Sequence, residues 1–138
     1  MNAQDCIFCK IVSGQIPAVK IYEDDVVVAF LDIGPVSEGH TLVLPRQHVK
    51  QAHSCPPELL GQVWTRLGKI AGAVASAMNA DGYNVLCNNG KAAGQVVDHL
   101  HFHVIPRRAG DDVFTQWPSR KYGPGKAEAI AEKIRSKL

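Results

Sequence analysis

From residue 59 onward, the apolar residues Leu59, Leu60, Val63, Trp64, Leu67, Ile70, Ala71, Val74 and Met78 fall three or four positions apart. That is the period of one face of an α-helix, so the spacing predicts a long amphipathic helix. Pro56 and Pro57 suit its first turn, where a missing N–H costs little, and Asp81-Gly82 ends it. Ile7, Phe8, Ile11 and Val12 repeat the helical step on a smaller scale within Cys6–Ser13, closed by Gly14. Elsewhere the runs are short and β-rich: Lys20–Glu23 and Val26–Leu31 joined as a hairpin at Glu23-Asp24-Asp25, His40–Leu44 stopped by Pro45, Tyr83–Cys87, and His99–Ile105 stopped by Pro106. Residues 107–125, rich in Gly, Pro and charge, read as irregular, and Lys126–Leu138 as a surface helix. Strands, then a long helix, then strands imply an α+β fold: an antiparallel sheet packed with one long helix and a short N-terminal helix. Pro17, Pro35, Pro45, Pro56 and Pro57 separate elements, not domains, and there is no internal repeat. The expectation is one domain over 1–138, with a core of 1–110 and a tail of 111–138 that carries the C-terminal helix.

The last strand carries the chemistry. His99, His101 and His103 alternate with Leu100, Phe102 and Val104. Successive strand side chains point to opposite faces, so three imidazoles share one face while the apolar set enters the core. Same-face neighbours stand roughly 6–7 Å apart, close enough to converge on one small anion. Three groups that titrate near neutrality have no use on a purely structural surface. Alternating histidines also ligate zinc, so a metal site is the rival reading.

Composition narrows the class. A chain of 138 residues, 46% hydrophobic and 20% charged, can bury a core without disulfides. A net charge of +2 is too small to support nucleic-acid wrapping or membrane attachment. No run approaches the roughly 18–20 apolar residues of a membrane span. Met1–Cys9 carries Asp5 and two cysteines where a signal peptide needs a basic start and an apolar run, so a cytoplasmic location with reduced thiols is expected. In that setting Cys6-x-x-Cys9 suggests metal or redox chemistry, while Cys55, Cys87 and His53 read as structural or solvated groups. Arg107-Arg108 reads as a solvated basic turn.

His99-Leu100-His101-Phe102-His103-Val104-Ile105 resembles, at every position, the signature His-φ-His-φ-His-φ-φ (φ apolar) of the histidine triad (HIT) family. The resemblance extends to Cys-Ile-Phe-Cys-Lys-Ile at 6–11, Ala-Phe-Leu-Asp-Ile at 29–33, Gly-His-Thr-Leu-Val-Leu-Pro at 39–45, Asn-Asn-Gly at 88–90 and Ala-Gly-Gln at 93–95. It implies the HIT fold and a purine nucleotide hydrolase or transferase. In such an enzyme His101 attacks an α-phosphate, forms a nucleotidyl-histidine and releases a nucleoside monophosphate. By the same resemblance His103, His99 and His40 support the nucleophile, with His103 stabilising charge on the phosphoryl oxygens. Asp32 would accept ribose hydroxyls, Asn88 and Gln95 would meet phosphate, and Phe8, Ile11, Phe30 and Ile33 would line the base pocket. Taken singly, those four apolar residues read as core.

Cys6, Cys9, His48 and His99 match a Cys₂His₂ zinc site of some bacterial relatives, which implies a structural Zn²⁺ pinning the N-terminal helix. His99 would then serve both sites, one ring nitrogen on the metal and the other in the active-site network. A homodimer is implied as well, with Trp117-Pro118 in a tail that reaches the partner subunit. Valine at 96 departs from the Ser or Thr that many relatives carry, and it cannot donate a hydrogen bond to a leaving group. Phosphoramidate- or adenylate-type substrates are the first expectation. A dinucleoside polyphosphate hydrolase is the alternative, weakly favoured by residues 106–111. A zinc-stabilised nucleotide-binding or interaction module with little turnover is the alternative of another class.

Overall fold

The computed structural model describes residues 3–114 and 118–138; Trp117, assigned above to the tail, lies outside them. The elements are α1 (Ile7–Val12), β1 (Lys20–Glu23), β2 (Val27–Leu31), β3 (Thr41–Pro45), α2 (Pro57–Ala77), β4 (Gly82–Leu86), β5 (Phe102–Arg107) and α3 (Lys126–Arg135), with short 3₁₀ turns at Ala52–Ser54 and Lys91–Ala93. The five strands form one antiparallel sheet in the order β1-β2-β3-β5-β4.

Both faces of that sheet are covered, which explains why β2 and β3, Thr41 apart, are apolar at successive positions and not alternately. One face packs under α2: Val27, Ala29, Val43, Leu100, Phe102 and Val104 meet Val63, Leu67, Ile70 and Val74. The other packs under α1, where Val28, Phe30, Leu42 and Leu44 meet Cys6, Phe8 and Ile11. The five buried residues of α2, Val63, Leu67, Ile70, Ala71 and Val74, follow the helical spacing read from the chain. The β1–β2 turn is fastened to α2 by Asp24, whose carboxylate accepts the N–H groups of Val26 and Val27, the Tyr22 hydroxyl and Arg66 Nε–H.

The last strand differs from expectation. It begins at Phe102, not His99, and continues through Pro106 to Arg107. Pro106 is tolerated because pairing with β3 ends at Thr41–Val104, so only β4 flanks the strand at that point. His103 therefore lies in the strand, between Leu42 and Leu86, while His99 and His101 precede it in extended and bent chain. The sidedness holds: Leu100, Phe102 and Val104 face α2, and the imidazoles lie on the α1 side. Arg107 is no solvated turn. It makes a bidentate pair with Asp111, donates to Asn84 and stacks over Phe114. No helix among the described residues is long and apolar enough to cross a membrane.

Candidate active site

His40 enters the site immediately before β3, and Gly39 permits it. A Cβ at residue 39 would stand 2.6 Å from Met78 Cγ, and its φ of +85° is a conformation that favours glycine. His40 Nδ1 accepts the N–H of Val36 at 3.2 Å. A backbone N–H only donates, so the proton of neutral His40 sits on Nε2, which donates to His103 Nδ1 at 2.9 Å. His103 is thereby fixed with its remaining proton on Nε2. His101 Nδ1–H donates to the carbonyl of His99 at 2.6 Å, which leaves the lone pair on His101 Nε2. The rings of His101 and His103 are 5.0 Å apart, and the edge of Phe8 meets His101 at 5.1 Å. One imidazole thus keeps a lone pair while its neighbour keeps an N–H, and backbone groups decide which is which.

Burial holds all of these rings neutral. It pushes His40 and His101 below the ordinary histidine range, with Asp32 opposing in both cases. His103 is pushed down to about 4, by burial first and then by its neighbours His101 and His40. The Asp32 carboxylate lies 3.6 Å from His40 Nε2 and accepts the N–H of Gly34 at 2.8 Å.

His101 and His103 open onto a cavity of about 420 Å³ whose walls include Phe8, Ile11, Phe30, Asp32 and Ile33. Sequence reasoning did not single out Ile16, Pro17, Ala18, Leu42 and Val97, which also line it; they carry no chemistry-bearing group that could have marked them. Ile33 is fully exposed at the opening, unlike the buried Phe8, Ile11 and Phe30. A second groove of similar volume, between α2 and the β1–β2 side of the sheet, contains no histidine.

One expected phosphate contact, Gln95, is placed differently. Gln95 is buried, donates its amide N–H groups to the carbonyls of Lys50 and Val97, and accepts the N–H of Gly90. Both of its donors are committed to the backbone, so it shapes the 90–97 loop and leaves no N–H free for a phosphate. The Asn88 amide nitrogen lies 3.5 Å from where a Cβ on Gly94 would stand. Gly94 has φ +88° and itself lines the cavity.

His99 turns away from the cavity. Its Nε2–H donates to the carbonyl of Pro45 at 2.8 Å, so Nδ1 carries the lone pair and faces Cys6 and Cys9, each sulfur 3.5 Å away. Cys9 Sγ is 3.3 Å from His48 Nδ1. One donor atom from each of these four residues lies within 4.8 Å of every other. Tetrahedral zinc with ordinary bond lengths sets sulfur and nitrogen ligands about 3.5 Å apart, so the set fits that ion in both donor type and spacing. Burial and the adjacent Cys6 sulfur push the Cys9 thiol up to about 11. The expected dual role of the His99 ring is not what the geometry shows: its second nitrogen serves Pro45, and its link to the active site is its own carbonyl, held by His101.

Known proteins resemble the chain over most of its length. Residues 13–110 match the family described as HIT domain. The chain is 42% identical over 134 residues to an adenosine 5'-monophosphoramidase of Schizosaccharomyces pombe, covering 96% of this chain and 98% of that protein. A crystal structure of a HIT family member from Bacillus subtilis superposes with a TM-score of 0.90 at 42% identity, over 97% of each chain. A zinc-bound histidine triad family protein from Mycobacterium smegmatis superposes at 0.77 with 40% identity, over 99% of this chain and 100% of that one.

Proposed function

The chain belongs to the HIT family, and from that premise we propose that it hydrolyses or transfers purine nucleotides at the α-phosphate and releases a nucleoside monophosphate, AMP in the first instance. The observation that carries the reading is the complementary pair of imidazoles: a lone pair on His101 Nε2 beside an N–H on His103 Nε2, both opening onto one cavity. His101 Nε2 attacks phosphorus, the leaving group departs with the bonding electrons, and water resolves the nucleotidyl-histidine. The N–H of His103 stabilises charge on a phosphoryl oxygen, and His40 holds His103 in the required tautomer. Asp32 accepts ribose hydroxyls, and Phe8, Ile11, Phe30 and Ile33 receive the base. Gln95 acts by holding the 90–97 loop, and Asn88 meets a phosphoryl oxygen.

Cys6, Cys9, His48 and His99 hold one zinc ion in this reading. The ion would neutralise the two thiolates and cross-link α1 to the segment that carries His101, a structural task and not a step in catalysis. The reading includes a homodimer: β4 is an edge strand of the sheet, and Tyr83 on β4 and Trp64 on α2 are half-exposed. A cytoplasmic location accords with four cysteines that form no disulfide with one another.

Replacing His101 with Asn tests the core of the proposal. Hydrolysis of an adenosine phosphoramidate should fall by at least about 10⁴-fold while AMP binding by calorimetry is largely kept. Undiminished hydrolysis by His101→Asn would refute it.

A further inference from the structure

Cys6-x-x-Cys9 has a second capacity besides metal binding. Cys6 is the N-cap of α1 and its carbonyl accepts the Lys10 N–H at 3.1 Å, so the two cysteines bracket the first helical turn. Residues three apart in such a turn have Cα atoms about 5 Å apart, inside the range that a disulfide bridges. Both sulfurs approach the same nitrogen, His99 Nδ1, at 3.5 Å, and they lie within 4.8 Å of each other. Side-chain rotation brings them into bonding reach without unwinding α1. Cys6 is fully buried, whereas Cys9 is partly open. Phe8, between them in sequence, meets the rings of His99 and His101 at 6.0 and 5.1 Å and lines the cavity with Ile7 and Ile11.

We propose that Cys6 and Cys9 are a redox-active dithiol, which hydrogen peroxide closes to a disulfide, and that closure weakens nucleotide binding through Phe8. The inference rests on the proposed function for the place of the nucleotide in the cavity, and it names a regulation of that site. The partly open Cys9 sulfur attacks one peroxide oxygen; the O–O bond breaks, and the other oxygen leaves as hydroxide and is protonated to water. The Cys6 sulfur then attacks the Cys9 sulfur of the sulfenic acid and displaces hydroxide, which also becomes water. Two thiols thus give up two electrons and two hydrogens in all, and one peroxide becomes two waters. A disulfide presents no thiolate, so His48 and His99 alone remain as strong donors of the four-ligand set. Drawing the sulfurs together turns the first turn of α1 relative to His99, and Phe8 moves with it. Transient oxidation of this kind is the form in which disulfides arise in a reducing compartment.

The test treats the purified protein with a few equivalents of hydrogen peroxide, alkylates the remaining thiols and follows the tryptic peptide Met1–Lys10, which contains Cys6 and Cys9 and no other cysteine. That peptide should appear unalkylated and two hydrogens lighter, and dithiothreitol should restore it. The Kd for AMP, read by calorimetry, should rise by about threefold to tenfold on oxidation, the scale of one aromatic contact, and recover on reduction. Cys87→Ser should keep both responses, which separates them from oxidation at the other partly open cysteine, and Cys9→Ser should lose both. A peptide that stays reduced, or that reaches sulfinic acid with no disulfide, overturns the proposal, as does a disulfide formed with unchanged affinity for AMP. Reduced protein that binds no AMP contradicts the proposed function instead, and the dithiol then stands or falls on the peptide mass.

Discussion

A neutral imidazole has one proton and one lone pair, and in this site the main chain decides which nitrogen holds which. The carbonyl of His99 takes the Nδ1–H of His101, and the N–H of Val36 occupies Nδ1 of His40, so the pattern propagates to His103 without any side-chain carboxylate in the relay. His40 is accordingly a positioning residue. Replacing it with Ala should lower kcat by about 10²-fold, the scale of a misplaced acid–base group, while KM stays within a few-fold of wild type. Steady-state kinetics reads that split, and a rise in KM with kcat unchanged would mean that His40 contributes only to binding.

At the scale of elements, the alternation of residues 99–104 made the sidedness of the histidines legible, because apolar Leu100, Phe102 and Val104 must face a core. The strand's limits were not legible. Pro106 reads as a stop, yet it sits where only one neighbouring strand flanks β5, a fact of topology that no local pattern carries. Nor could spacing reveal that His99 turns to Cys6 and Cys9 while its carbonyl serves His101; that depends on Pro45 offering an acceptor from β3. The resemblance to a known family supplied what periodicity could not: Asp32, His40 and His48 are remote in sequence from the triad. The short α1, six residues long, cannot be stable alone and depends on its packing against the sheet, to which the proposed zinc site would add a cross-link. Metal analysis of protein purified without added metal should find about one zinc per chain. Cys9→Ser should abolish that occupancy and lower Tm by on the order of 5 °C or more. A metal-free wild type in the reduced state would contradict the four-ligand site.

For the whole molecule, a sheet covered on both faces gives the histidines their low-dielectric surroundings, and that burial ties stability to pH. His103 titrates at about 4 in the fold against an ordinary 6.5, and His40 is shifted in the same direction. A depressed folded pKa means that the unfolded chain takes up protons first as pH falls. The contribution of these groups is therefore fully present above about pH 6.5 and is lost progressively as pH drops toward 4. Tm should decline between pH 7 and pH 5, and His103→Asn should decline less over the same interval. The central claim, however, concerns chemistry at one atom. Rapid quenching of the wild-type protein with an adenosine phosphoramidate, followed by peptide mass spectrometry, tests it most directly. Adenylate should be found covalently attached at His101 during turnover and should disappear as substrate is exhausted; turnover with no adduct, or an adduct confined to another residue, would contradict the account.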